Sequence, residues 1–394
     1  MASRRTVLGL AGAATVAAGI TVASSGIAEA DSKVPDGLKP GGELDRYVKK
    51  LAAEGKFSGA FLLTHKRRKV LSRAYGMADA KAGVRNETDT RFKLASVTKM
   101  FTAVAINKLV QDDKVRYAEP IGKYIDGFSD EVAEKVTIHH LLLHTSGLGD
   151  FHDLPGYEEA SRKWDTPDEV MNGTLDFIRE DKLRFPPGAG WQYSNAAYCV
   201  LGGIIAAVSK QSYFDYVRDN VFEPARMRAS DFYTRPQWQK DPKLAHPYFK
   251  DDETGEWVDR VDEQAYIGLP AGNSFATVGD MNRFANALLD AELLSRQFTH
   301  IMLTPKLPVG GGGKEPPPDP DKPRMTGFLG YGTFSSLIGD QRVHGFSGGS
   351  QAGPSTSIDI YPDSDWVTVI LTNRDPSTVP EVNKIITKHI LGAK

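Results

Sequence analysis

Phe92-Lys93-Leu94-Ala95-Ser96-Val97-Thr98-Lys99-Met100-Phe101-Thr102-Ala103-Val104-Ala105 combines a short polar motif with an apolar run. Serine and lysine three residues apart share one face of a helix, so the amine can reach the hydroxyl. A serine hydroxyl is a poor nucleophile until a base removes its proton. Lysine can be that base only where burial and nearby positive charge lower its pKa. At a helix start the backbone amides also favour a developing oxyanion. S-x-x-K alone marks many exposed helix starts. Here Phe92 and Leu94 precede it, and Phe101, Val104, Ala105 and Leu109 follow at helical spacing. The spacing predicts a helix over 96–110 with Ser96 and Lys99 in its first turn.

Upstream, Leu44, Tyr47, Val48 and Leu51 recur as in an amphipathic helix. Residues 59–64 and 70–75 read as two strands around His65-Lys66-Arg67-Arg68-Lys69, a solvated basic hairpin turn. Between about 110 and 290 the pattern is mostly helical or loop-like, with recurrent Gly and Pro. Strand patterns return at 332–338, 355–361 and 366–372, and a last helix is expected over 379–391. Strands therefore lie at both ends of the chain. The predicted fold class is α+β, an antiparallel sheet built from both chain ends and flanked by the terminal helices. A mostly helical subdomain at about 100–290 completes it. A cleft between sheet and helices is the natural site. Residues 308–323 hold four consecutive glycines and Pro316-Pro317-Pro318, which predicts an irregular, flexible excursion.

The 394 residues carry a net charge of −2, with 40% hydrophobic and 25% charged residues. That is globular composition with no electrostatic case for nucleic acid or an anionic membrane. Arg4-Arg5 precede an Ala/Gly-rich apolar stretch, and Ala28-Glu29-Ala30 follows as a cleavage signal. Residues 1–30 read as a signal peptide of twin-arginine type, cleaved after Ala30, with 31–43 a lead-in and 44–394 the folded domain. The expectation is a secreted or extracytoplasmic protein with no stable membrane anchor after cleavage. Cys199, the one cysteine, sits in an apolar run and reads as a buried structural thiol.

Tyr193-Ser194-Asn195 is the second chemical element. A tyrosine near a lysine can relay a proton between nucleophile and leaving group, and the amide of Asn195 can hold a substrate carbonyl. Together, S-x-x-K and Y-x-N make the chain resemble the serine β-lactamase and D-Ala-D-Ala carboxypeptidase superfamily, in particular its class C, esterase and D-aminopeptidase-like branch. Leu141-Leu142-Leu143-His144-Thr145-Ser146-Gly147-Leu148, Ala271-Gly272-Asn273-Ser274 and Ile360-Tyr361-Pro362-Asp363 are similar too, so the likeness runs from about 44 to 391. The resemblance implies a sheet-plus-helical-domain fold and an acyl-enzyme mechanism with no metal or cofactor. Ser96, Lys99 and Tyr193 would be catalytic, and Asn195 would bind a small-molecule or peptide substrate such as a D-amino-acid peptide, ester or β-lactam.

The third family element is normally Lys or His, a small residue, then Gly. It falls at Phe346-Ser347-Gly348 or at Ser347-Gly348-Gly349, and either way the basic residue is absent. His344 would need a strand irregularity to replace it. The loss disfavours free-carboxylate substrates and favours esters, amides or aminopeptidase-type substrates. The resemblance makes Ser347 part of the substrate wall and puts the second oxyanion amide at about Gly349 or Ser350.

Gly345-Phe346-Ser347-Gly348-Gly349 also fits G-x-S-x-G, with His389 as a downstream base. That elbow requires a following helix, and strand-like residues follow instead. His139, His140 and His144 lack an additional acidic or histidine ligand nearby, so a hydrogen-bonded structural role is expected. The alternative function is a weakly catalytic or non-catalytic ligand-binding relative.

Overall fold

The structure, a computed structural model, describes residues 34–309, 325–349, 353–374 and 378–392. The expected signal segment and most of the glycine- and proline-rich excursion lie outside these residues, as does Ser350. Among the described residues eight strands form one antiparallel sheet: β1 Ser58–His65, β2 Arg68–Tyr75, β3 Leu307–Val309, β4 Met325–Leu329, β5 Phe334–Ile338, β6 Gln341–Gly349, β7 Ser355–Tyr361 and β8 Trp366–Arg374. Their order across the sheet is β2-β1-β8-β7-β6-β5-β4-β3. The N-terminal hairpin thus pairs with the last strand, Phe61 opposite Ile370, and the sheet is built from both chain ends.

Each central strand is apolar on both faces because each face is covered. Phe61, Leu63, Val343, Tyr361, Trp366 and Ile370 meet Leu44, Val48, Val382 and Ile386 from two terminal helices, α1 (Glu43–Ala53) and a C-terminal helix over Val379–Ile390. Leu62, Phe346, Ile358, Ile360, Val369 and Leu371 belong to the larger core on the other face, with the helical body of the chain. That body centres on α2 (Lys99–Gln111) and α3 (Asn195–Ser209). Residues 99–107 of α2 are all buried, so this helix is enclosed on every side rather than on one face. Cys199 is fully buried in α3, and burial pushes its thiol up to about 12, as befits a packing residue.

The expected helix over 96–110 begins later than its spacing suggests. Ser96 lies in a 3₁₀ turn over Ala95–Thr98, and the α-helix proper starts at Lys99. The tighter turn is imposed from outside by contacts to Ser274 and Thr356, described below. A second difference lies at the start of the 308–323 segment. Leu307, Pro308 and Val309 pair with Leu329, Phe328 and Gly327 as the outermost strand. An edge strand tolerates proline because the outward amide needs no partner.

Phe101 of α2 contacts Phe222 and Phe284 edge-on, with centroids 5.0 and 4.8 Å away. Phe101→Ala is expected to lower stability by about 3–5 kcal/mol through the cavity it leaves. Denaturant unfolding monitored by circular dichroism measures this. A loss below about 1 kcal/mol would contradict the packing described.

Candidate active site

Chain geometry around Ser96 is held by distant partners. Ala95, immediately before it, has φ +46°, a left-handed conformation that costs a residue with a Cβ. The strained turn is pinned on several sides. Asn273 N donates to Ala95 O at 3.0 Å, and Leu94 N to Ser274 O at 2.7 Å. Thr98 and Ser274 hydroxyls meet at 2.7 Å. Thr356 Oγ1 of β7 donates to Leu94 O at 2.9 Å. The block 271–274 therefore clamps the Ser96 turn from the helical side, and β7 clamps it from the sheet.

Lys99 is fully buried, with Nζ 3.3 Å from Ser96 Oγ, 2.7 Å from Asn195 Oδ1 and 2.5 Å from Ala271 O. Burial pulls its pKa down to about 7, so an unprotonated fraction exists at neutral pH. A neutral amine has two N–H groups and one lone pair. With the N–H groups on the two carbonyl oxygens, the lone pair is left for the Ser96 proton. Asn195 Nδ2 in turn donates to Asp150 Oδ2 at 2.5 Å, which orients its amide with the oxygen toward the lysine. Burial alone would raise the Asp150 pKa, but hydrogen bonds from His152 and Asn195 outweigh it and keep the carboxyl ionised.

Tyr193 lies beside this pair. Lys99 Nζ is 4.8 Å from its ring centroid, and burial raises the phenol to about 12 against the opposing effect of its hydrogen bond with Ser96. It therefore stays protonated and can donate. His144 stacks on Tyr193 at 4.7 Å and accepts the Ser194 amide on Nδ1 at 3.1 Å. Burial holds that imidazole down at about 3, so it is neutral and acts as a packing plate. His139 meets the Tyr331 hydroxyl and His140 the Thr137 amide. All three histidines thus have structural partners.

The sheet wall is β6. A Cβ built on Gly348 would fall 2.5 Å from Ser96 N and 3.1 Å from its Cα and Cβ, so only glycine permits this approach. The register Phe346-Ser347-Gly348 is thus the one whose glycine abuts Ser96. Two residues earlier on the same pleat face, Phe346 is buried edge-on against Phe334 at 5.1 Å. An aromatic ring therefore occupies the position at which the third family element normally has a basic residue. His344 does not replace it, because it is buried on Ser335 at 2.8 Å and lines a different cavity with Arg342.

Strand alternation corrects the reading of Ser347. Its side chain is exposed on the face opposite Gly348 and is not brought to Ser96. The strand runs through Ser347 to Gly349, and the next element among the described residues is the strand β7 from Ser355, not the helix that a nucleophile elbow requires. Gly349 lines the cleft at φ +120°, a conformation left to glycine.

The cleft in front of Ser96 encloses about 650 Å³, with Phe151, Tyr157, Phe249, Ile267 and Leu269 among its apolar walls. Three contributors escaped the sequence reading. Asp150 lies two residues past the block 141–148, and the Ala271 carbonyl has no side-chain signature. Lys93 lines the cleft but looks like any surface lysine in sequence. Among the described residues Asp79, His246 and Asp259 could bring ligand atoms together for a cation. None of them lines this cleft, and Asp259 already bonds His246 Nδ1 at 2.6 Å.

The sequence model of the beta-lactamase family matches residues 44–391. The chain is 28% identical over 263 residues to a Bacillus subtilis (strain 168) protein named as penicillin-binding protein PbpX, covering 67% of this chain and 62% of that protein. It is 31% identical over 194 residues to protein flp of Staphylococcus aureus (strain MW2), covering 48% and 38%. The matched region is therefore less than two thirds of either relative. Among solved structures, a penicillin binding protein from Bacillus halodurans superposes with TM-score 0.74 at 26% identity, covering 86% of this chain and 98% of that one. A D-amino acid amidase from Ochrobactrum anthropi SV3 has the same fold, with TM-score 0.67 at 22% identity over 89% and 96% of the two chains. The Ser96 turn, the buried lysine and the sheet wall all fall inside the matched span, and the chain belongs to the beta-lactamase family.

Proposed function

We propose that the protein is a serine hydrolase that cleaves amide or ester bonds through an acyl-enzyme on Ser96. The observation that carries this reading is the buried amine of Lys99, 3.3 Å from Ser96 Oγ with its pKa near 7. Neutral Lys99 takes the Ser96 proton as the oxygen attacks the carbonyl. Tyr193, kept protonated, donates to the leaving group and recovers the proton from Lys99. The Ser96 amide, with a second amide at about Gly349 or Ser350, holds the oxyanion. Water then releases the acyl group, or an amine accepts it. Asn195 orients both Lys99 and the substrate carbonyl.

A buried Phe346 in place of a basic residue supports amides, esters and aminopeptidase-type substrates over those whose carboxylate must be held on β6. A fluorophosphonate or fluorescent β-lactam is expected to label wild type and not Ser96→Ala, read by gel fluorescence. Folded wild-type protein that takes up neither probe would support a ligand-binding relative instead.

Export is part of the same proposal. Arg4-Arg5, the apolar stretch and Ala28-Glu29-Ala30 support passage out of the cytoplasm. N-terminal sequencing of the protein from culture medium or envelope is expected to begin at Asp31. A product starting at Met1 or Ala2 would refute cleavage. Among the described residues no helix is long and apolar enough to cross a membrane.

A further inference from the structure

We propose that Lys93 forms an anion-binding subsite in the Ser96 cleft, which selects substrates carrying a carboxylate on a short carbon chain; this rests on the acyl-enzyme reading above. Lys93 lies on the short strand Phe92–Lys93, paired with Phe275–Ala276, three residues before the nucleophile. Chain geometry keeps the two Cα atoms within about 10 Å. Both residues line the same cleft.

The partners of Lys93 are neutral. Its Nζ donates to Gln264 Oε1 at 2.5 Å and lies 5.8 Å from the Trp238 ring centroid. Burial lowers its pKa to about 8. The other cations along the cleft are already engaged. Arg162 pairs with Glu158 at 2.5 Å. Arg260 pairs with Glu263 at 2.7 Å and with Asp251 at 3.5 Å. Lys99 is held on two carbonyls and serves the nucleophile. Of the lysines and arginines that line the cleft among the described residues, Lys93 is the one with no carboxylate partner.

An ammonium removed from bulk water and held on a neutral acceptor is incompletely compensated. A carboxylate entering beside it gains a charge-assisted hydrogen bond and further favours the charged form of the lysine. Phe151, Ile267 and Leu269 offer apolar contact for the carbons between that carboxylate and the scissile carbonyl. Charge recognition thereby moves from β6, where Phe346 is buried, to the wall beside Lys93.

The test uses two 4-nitrophenyl esters of equal shape, the monoester of adipic acid and the same ester with its free acid converted to the primary amide. Each competes with a fluorophosphonate for Ser96, which reads occupancy of the site whether or not the ester turns over. In wild type the acid is expected to compete at a concentration about tenfold or more below that of the amide. In Lys93→Met the ratio is expected to fall to near one, and in Lys93→Arg the preference is expected to persist. Lys93→Gln, which can still bond Gln264, replaces the methionine variant should that one not fold. A ratio near one in wild type, or one unchanged in Lys93→Met, overturns the subsite alone. Folded wild-type protein that the fluorophosphonate does not label overturns the acyl-enzyme reading and the subsite with it.

Discussion

Acylation of Ser96 is expected to slow by about 10²–10⁴-fold in Lys99→Met, the range associated with a lost general base. Methionine is chosen because it fills most of the volume of a fully buried side chain, which limits the cavity that alanine would leave. The rate also has a pH signature. Lys99 acts as a base only when neutral, and burial brings its pKa down to about 7. Wild-type acylation should therefore rise with pH through about 7 and level off above it. The rising limb should vanish in Lys99→Met, where no amine titrates. Stopped-flow acylation by a chromogenic cephalosporin or a fluorophosphonate across pH 5–9 measures both. Near-normal acylation in Lys99→Met with the limb intact would remove Lys99 from the mechanism.

Gly348→Ala is expected to cost about 10²-fold in acylation rate, from a residue that takes no part in the chemistry. Its new Cβ would sit 2.5 Å from Ser96 N, a contact with backbone that no side-chain rotation can relieve. Either β6 or the Ser96 turn must move, and misplacement of a reacting atom by about 1 Å carries a penalty of that order. The Ser96 amide is the atom most directly displaced, so the oxyanion suffers along with the nucleophile. The loss should appear in the acylation rate while the protein remains folded, which thermal unfolding checks in parallel. Full activity in Gly348→Ala would mean that β6 does not press against Ser96 as described.

Much of this molecule was legible in local sequence. Short, nearly continuous apolar runs at 59–64 and 366–372 and helical spacing in 44–51 and 379–391 are local signals, carried by near neighbours in the chain. They were enough to reach a sheet built from both ends. Ser96 and Lys99 are three residues apart, so their meeting is a property of one turn. Strand β6 was harder, because a shift of one residue reverses which side chains face the cleft. The pairing of Gly345 with Phe334 and Asp359 decides it, and it turns Ser347 away from Ser96.

The sequence by itself determined the family and the pairing of Ser96 with Lys99, the residues proposed as nucleophile and base, since each depends on residues a few positions apart. Tertiary structure alone decided that Lys99 is buried and poised. That state depends on Asn195 and Ala271, which lie 96 and 172 positions downstream of it. It also decided that Gly348 abuts Ser96 and that Lys93 faces the cleft without a carboxylate partner among the described residues. Burial and charge compensation are sums over everything nearby in space, and chain spacing carries no record of that sum.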